Sequence, residues 1–296
     1  MQRVILAGGS GFLGRRIAQR LRANGSDVRI LTRRPRDASD LEWDGRTLGP
    51  WANTVANSDA VINLAGESIS IPWTAENRRR ILSSRLESAS VISQALATAP
   101  NSIHWINASA VGFYGDRADE RLSEASPAGT GFLAETCVAW ENALFDTRLP
   151  THVTRTAIRI GLVLGPGGAL PVLAKLAQFG LGGSHGSGRQ WMPWISVEDI
   201  AGGVHHVLSQ RLAGPVNLVG PDPVPNDQFM RTLRQHYRRP WSPPAPTFAL
   251  RIAGFLGAPD PDLLLQSQRV EPLRLHQSGY TFRLPALPDA IRAALA

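Results

Sequence analysis

Lysine is almost missing from this chain: Lys175 is the only one among 296 residues, and every other basic side chain counted with it is arginine. Cysteine is as scarce, and a lone Cys137 excludes both an intramolecular disulfide and a Cys-rich metal site. The tyrosines number three, Tyr114, Tyr237 and Tyr280, and four residues after them stand Ala118, Trp241 and Leu284. A Tyr-x-x-x-Lys pair is therefore absent from the whole chain. Arg, Pro or Gly interrupts every apolar run before it is long enough to span a bilayer. The opening stretch MQRVILAGGSGFLG lacks the apolar core and cleavage site of a secretory signal, so a cytoplasmic, non-membrane protein is expected. The histidines show no metal-ligand spacing, and His205 and His206, adjacent on a predicted helix, point in different directions. No metal is expected.

The formal net charge of +7 raises nucleic-acid binding as a function class. The arginines are scattered through every segment, with one local cluster in NRRRILSSR (77–85), and no stripe of bases with interleaved aromatics appears. Net charge alone sets non-specific attraction, so a nucleic-acid partner is not expected, and an anionic small molecule suits the charge equally well. The oligomeric state is not legible.

RVILAG (3–8), DVRILTR (27–33), DAVINLAG (59–66), IHWINAS (103–109) and HVTRTAIRIGLVLG (152–165) read as buried strands, apolar throughout. Between them lie helical patterns: FLGRRIAQRLRANG closed by Asn24-Gly25, a long one from Trp73 to Ala99, and one over 132–147. A helix near 198–209 and a strand GPVNLVG (214–220) follow. Strands alternating with helices predict an α/β fold, a Rossmann-type doubly wound parallel sheet with a smaller C-terminal lobe. The expected sheet domain is 1–165, with 195–220 returning to it; 166–194 and 221–296 form the lobe.

AGGSGFLG (7–14) sets Gly8, Gly11 and Gly14 directly after a predicted strand and at the mouth of a predicted helix. The first glycine allows the tight turn, the second lets backbone approach a pyrophosphate, and the third lets helix pack on sheet. An NAD site usually ends its second strand with an acid that holds the ribose 2′-hydroxyl. Here that strand ends Thr32-Arg33-Arg34-Pro35, with no acid before Asp37. A guanidinium fork suits the 2′-phosphate of NADP(H), with Thr32 adding a hydroxyl. NLAG ends the third strand, and Leu64, Ala65 and Gly66 are small enough to let backbone pass close to the ligand. SAVGFYGD (109–116) offers two hydroxyls, Ser109 and Tyr114, at the carboxyl edge of the sheet.

The glycine turn, NLAGESI, SRLE, SAVGFYG, FLAETCVAWE, RIGLVLGPG (159–167), GLGGSHGSGRQWMPWI and the tail LLLQSQRVEPLRLHQSGYTF together resemble extended short-chain dehydrogenases/reductases. The likeness is closest to an atypical epimerase-family subgroup, labelled nucleoside-diphosphate-sugar epimerases, that carries a C-terminal domain of unknown function. It covers essentially the whole chain. The resemblance implies a Rossmann domain with NADP(H), and places Gly8, Ser10, Gly11, Phe12, Leu13, Gly14, Arg33, Leu64, Ala65, Arg85 and Val163 near the cofactor. It implies oxidoreductase or isomerase chemistry on a small-molecule substrate.

In that family a tyrosine exchanges a proton with the substrate oxygen, and a lysine one turn later lowers its pKa. Here the matching positions are Phe132 and Thr136, or one residue on, Leu133 and Cys137. Ser109 is expected to hydrogen-bond the reacting oxygen. The proton is expected from Cys137, Tyr114 or a bound water. Cys137 also lies on an apolar stripe with Leu133, Trp140 and Leu144, which reads as a packed thiol. Glu135 and Glu141 read as surface or helix-pair carboxylates. The alternative is an NADP(H)-binding regulatory or redox-sensor protein that kept the pocket without the chemistry.

Overall fold

The computed structural model describes residues 1–256 and 258–296. Seven strands build the central sheet: β1 (Arg3–Ala7), β2 (Asp27–Thr32), β3 (Leu41–Glu42), β4 (Ala60–Asn63), β5 (Ile103–Ala110), β6 (Val153–Ile160) and β7 (Gly214–Leu218). Their order in space is β3-β2-β1-β4-β5-β6-β7, with every neighbouring pair parallel. The chain walks outward from β1 one way and then from β4 the other, so a crevice opens at the carboxyl ends of β1 and β4. The doubly wound sheet predicted from the alternating pattern is present. The two-residue strand β3 is too short to leave a periodic signal.

Helices α1 (Phe12–Ala23), α2 (Trp51–Ala56), α3 (Ala75–Leu96), α4 (Phe132–Phe145), α5 (Leu170–Gln178) and α6 (Val197–Ser209) connect these strands. Ile5, Val61 and Trp105 pack on one face of the sheet against α2, α3 and α4. Val4, Leu6, Ile62 and Ile106 pack on the other against α1 and α6. Both faces are dry, which is why these strands are apolar at successive positions instead of alternating. Helix α3 starts where Thr74 Oγ1 accepts the N–H of Asn77, and α6 starts where Ser196 Oγ accepts that of Asp199.

The segment read as one strand over 152–165 divides at Gly161. A side chain there would strike the carbonyl of Pro193, so only glycine admits that approach. Beyond it, Leu162–Leu164 leaves the sheet and pairs with Trp194–Ser196, opening the lobe. The lobe is completed by α7 (Asn226–His236), α8 (Thr247–Phe255), α9 (Asp262–Leu265), α10 (Leu273–Gln277) and α11 (Leu287–Leu295). Its core joins Leu170 and Leu173 of α5, Phe229 and Leu233 of α7, and Leu287 and Ile291 of α11.

The stretch 221–296 does not all belong to that core. Leu275 is buried with the α1/α6 face of the sheet, and Tyr280 and Phe282 pack beside it. Arg274 donates to the Pro215 carbonyl at 2.7 Å, on the outer strand β7. An edge strand needs cover for its unpaired backbone groups, and the tail supplies it.

Candidate functional site

The crevice is shaped by the glycine turn. Gly8 has φ +75° and sits against the Leu64 carbonyl group, where a Cβ would stand 3.0 Å from carbon. At Gly14 a Cβ would meet Gly9 Cα at 2.5 Å and the Gly8 carbonyl, so α1 packs directly on the turn. Helix α1 begins at Gly11 with no side-chain cap and no acid in its first turn. Its leading N–H groups therefore favour an anion.

A cleft of about 1020 Å³ opens there, lined by Gly8, Ser10, Gly11, Thr32, Arg33, Arg34, Leu64, Ala65 and Gly66. These are residues the sequence singled out, now brought together. Others lie elsewhere. The ring of Phe12 fills the space beside Gly165 and Gly167 and lines a second cavity of about 370 Å³. Leu13 and Val163 pack against the sheet core, and Gly14 is buried in the first turn of α1. Arg85 stands behind the wall: its Nη1 donates to the carbonyls of Ile81 (2.8 Å) and Glu67 (3.1 Å), and its guanidinium stacks 4.9 Å from the Trp140 ring. It fastens the segment after β4 to α3.

Arg36, Trp43, Asp44 and Arg46 also line the cleft, and sequence reasoning missed them because they follow or flank β3. Asp44 is the acid that raises the NAD question again. Its Oδ1 accepts the N–H groups of Arg46 (2.8 Å) and Thr47 (2.9 Å), and its Oδ2 accepts the Thr47 hydroxyl (2.7 Å). Those bonds, the Thr47 N–H foremost, hold its pKa down to about 2. Its oxygens already serve this turn. Asn63 was missed as well: its Oδ1 accepts the Ala65 N–H at 3.1 Å and its Nδ2 reaches Asn107 at 2.8 Å, which sets the backbone path through the cleft.

At the carboxyl ends of β5 and β6 lies a buried polar network, satisfied within itself except at Glu124 Oε2, which has no hydrogen-bond partner among the described residues. Arg159 makes a two-pronged pair with Glu141, Nε to Oε1 at 2.9 Å and Nη2 to Oε2 at 2.8 Å, with side chains 4% and 8% exposed. Ser109 donates its proton to Glu141 Oε1 at 2.7 Å. Tyr114 donates to Asn217 Oδ1 at 2.7 Å and accepts from Arg159 Nη1 at 2.9 Å. Arg159 also lies 3.5 Å over the Phe113 ring. Glu124 Oε1 accepts the Asn217 N–H at 3.0 Å.

Four expectations need correction here. Tyr114 is fully buried, and burial raises its pKa against the pull of Arg159, so it does not face a substrate. Ser109 is buried with its proton committed to Glu141, which leaves it only acceptor capacity. Glu141 is no surface carboxylate; it is the anionic centre of the network. Cys137 is 4% exposed, and burial, with Glu141 nearby, pushes its thiol up to about 11, outweighing the contrary pull of Arg85. Phe132, one of the two positions weighed for the missing tyrosine, stacks edge-on with Trp73 at 5.0 Å, with the Arg78 guanidinium 5.0 Å from its ring.

A family model described as the NAD dependent epimerase/dehydratase family matches residues 4–219, and one described as a domain of unknown function, DUF1731, matches 245–294. The chain belongs to the NAD dependent epimerase/dehydratase family. Within it, "Epimerase family protein ML0860" of Mycobacterium leprae is 37% identical over 298 residues, covering 98% of this chain and 95% of the relative. "Epimerase family protein SDR39U1 homolog, chloroplastic" of Arabidopsis thaliana is 34% identical over 304 residues, covering 99% and 86%. The crystal structure of human epimerase family protein SDR39U1 with NADPH superposes with a TM-score of 0.88 at 31% identity, over 99% of each chain.

For a member of this epimerase family, the arrangement sorts cleanly. One end of the crevice offers a glycine turn, an uncapped helix terminus and arginines, the chemistry that holds a phosphorylated dinucleotide. The other offers hydroxyls and a carboxylate that already satisfy one another.

Proposed function

We propose that this protein is an NADP(H)-binding oxidoreductase or epimerase of atypical mechanism, acting on a small molecule and not on nucleic acid. The observation that carries this reading is the cleft itself. Arg33, Arg34, Arg36 and Arg46 line it; of its carboxylates, Asp44 has its oxygens engaged in its own turn, Glu87 pairs with Arg46 and Glu67 with Arg80, which leaves Arg33, Arg34 and Arg36 for a ligand. A 2′-phosphate fits that charge better than a bare ribose. The human relative that superposes over 99% of each chain was crystallised with NADPH, which supports the same ligand.

When bound, NADP(H) supplies a hydride donor or acceptor. This chain's residues do the rest. The α1 terminus and the Gly8–Gly11 backbone would hold the pyrophosphate and Arg33, Arg34 and Arg36 would hold the 2′-phosphate, while Asn63 and Arg85 keep the 64–67 segment in place. Ser109, Tyr114 and Cys137 are each committed or raised out of range, so the proton is exchanged with water. Losing a side-chain acid costs about 10²–10⁴ in rate, which slows hydride transfer without abolishing it.

That same commitment supports a second reading, an NADP(H)-binding regulator without turnover. One experiment tests the reductase. NADPH deuterated at its reactive carbon is mixed with the protein and a metabolite extract, and products are searched by mass spectrometry. A labelled product absent from a heat-killed control establishes a reductase. No label, with NADPH still bound, leaves the regulator or an epimerase that returns hydride to its own substrate. Failure to bind NADPH in preference to NADH refutes the proposal at its root.

A further inference from the structure

Helix α8, TFALRIAGF, is apolar nearly all round and turns its largest side chains to solvent. Phe248, Arg251, Ile252, Phe255 and Leu256 fall at i, i+3, i+4, i+7 and i+8, one continuous stripe. That stripe faces outward: Phe248 is 68%, Ile252 56%, Phe255 92% and Leu256 78% exposed, and no residue of the helix is buried. A helix ordinarily turns such a stripe to the core.

The stripe has apolar neighbours. The segment leading into α8 runs beside the segment leaving α5: Arg239 Nε donates to the Gln178 carbonyl at 3.1 Å, Ala245 N–H to that of Ser184 at 2.8 Å, and Gly183 abuts Pro243. Trp241, 71% exposed, therefore lies on a segment that runs beside the one carrying Phe179 (68%) and Leu181 (59%). Single exposed apolar residues are unremarkable, but several on adjoining segments mark an interaction surface.

Charge selects the partner. Segments 171–183 and 237–256 contain Lys175, Arg238, Arg239 and Arg251, all exposed, and no aspartate or glutamate. The acids that follow, Asp260 and Asp262, stand at the far end of α8, and Arg251 pulls the pKa of Asp262 down against the burial that raises it. Two acids against four cations leave the face net positive by two. A second copy of this chain is a poor occupant, since a two-fold interface would set this cationic patch against itself. Aromatic and aliphatic side chains ringed by Arg and Lys suit the boundary of an anionic bilayer, where the rings enter the headgroup layer and the cations meet lipid phosphate.

We propose that α8, Trp241 and the Phe179–Leu181 turn form a docking face for an anionic membrane surface. Among the described residues no helix is long and apolar enough to cross a membrane, which bears on crossing and not on lying against one.

The test is flotation of the full-length protein with vesicles of phosphatidylcholine, alone and mixed with phosphatidylglycerol. The expected result is co-flotation with the anionic vesicles, weakened by salt. Phe248→Asp and Phe255→Asp should each lower partitioning about tenfold or more, the worth of one buried aromatic, with the circular dichroism spectrum and NADPH affinity unchanged. Absence of binding to anionic vesicles overturns the proposal. So does binding that both variants leave intact, which would place the contact elsewhere. A concentration-dependent dimer in sedimentation that Phe255→Asp abolishes would assign the face to self-association and overturn it too.

Discussion

Replacing Glu141 by alanine should destabilise the protein severely and for a reason visible in the network. The substitution leaves the Arg159 guanidinium 4% exposed with Nε and Nη2 facing a void, and strips Ser109 of its acceptor. Burial lowers the Arg159 pKa and its bonds to Glu141 and Tyr114 carry it upward; with Glu141 gone that support is lost, but a guanidinium is too basic to shed its proton and stays charged without its partner. Breaking a buried pair from one side costs about 3–5 kcal/mol. At roughly 2–4 °C per kcal/mol for a chain of this size, the thermal midpoint should fall by about 6–20 °C. Glu141→Gln keeps shape and one acceptor and should cost about 1.5–3 kcal/mol, the range of a charge-assisted bond. Removing both charges, as in Glu141→Leu with Arg159→Met, should be milder than the sum of the single changes. Thermal unfolding followed by circular dichroism, with NADPH affinity measured alongside, reads all of these. A Glu141→Ala protein that melts within about 2 °C of the parent, near the effect of 1 kcal/mol, refutes the reasoning. Glu141→Gln that keeps its stability but loses turnover would assign the carboxylate to chemistry instead.

Gly14→Ala forces a methyl onto Gly9 Cα and the Gly8 carbonyl; overpacking of about 1–3 kcal/mol is expected, and titration should show weaker NADPH binding as α1 is pushed off the turn. With its thiol pushed up to about 11 from 9.0, Cys137 should alkylate with iodoacetamide about a hundredfold more slowly than a free thiol at pH 8, and at the ordinary rate in denaturant; rapid native labelling contradicts its burial. His104 is buried with its Nε2 on Thr156, and burial lowers its pKa from 6.5 to about 4. The unfolded chain therefore takes up the proton first, so this stability is complete above pH 6.5 and is lost as pH falls toward 4, by on the order of 3 kcal/mol. Denaturant midpoints measured across that window should fall less steeply for His104→Gln, and parallel curves would refute the assignment.

The sheet was legible because apolar runs such as those of β1 and β4, the mark of two-sided burial, alternate along the chain with helical patterns. The cofactor crevice was legible because its turn needs glycine at Gly8 and Gly14 for reasons of space, and space leaves a spacing in the sequence. The network around Glu141 left no such mark. Glu141 sits one residue after the buried Trp140 on α4, and nothing in a helical period says that a glutamate there meets an arginine from β6, a serine from β5 and, through Tyr114, an asparagine from β7. Those partners are 18, 32 and 76 positions away along the chain in the case of Arg159, Ser109 and Asn217. Buried polar groups are specified by pairwise satisfaction, not by pattern. The misreading of Ser109 and Tyr114 as free hydroxyls has the same root. Their place at the carboxyl edge of the sheet was inferred correctly, but each hydroxyl has one proton, and its destination is set by whichever acceptor the fold brings within reach. In this protein the nearest acceptors are Glu141 and Asn217. The feature that remains when those are counted out is the arginine-lined cleft, so a search for this protein's chemistry belongs at the ligand and the water beside it.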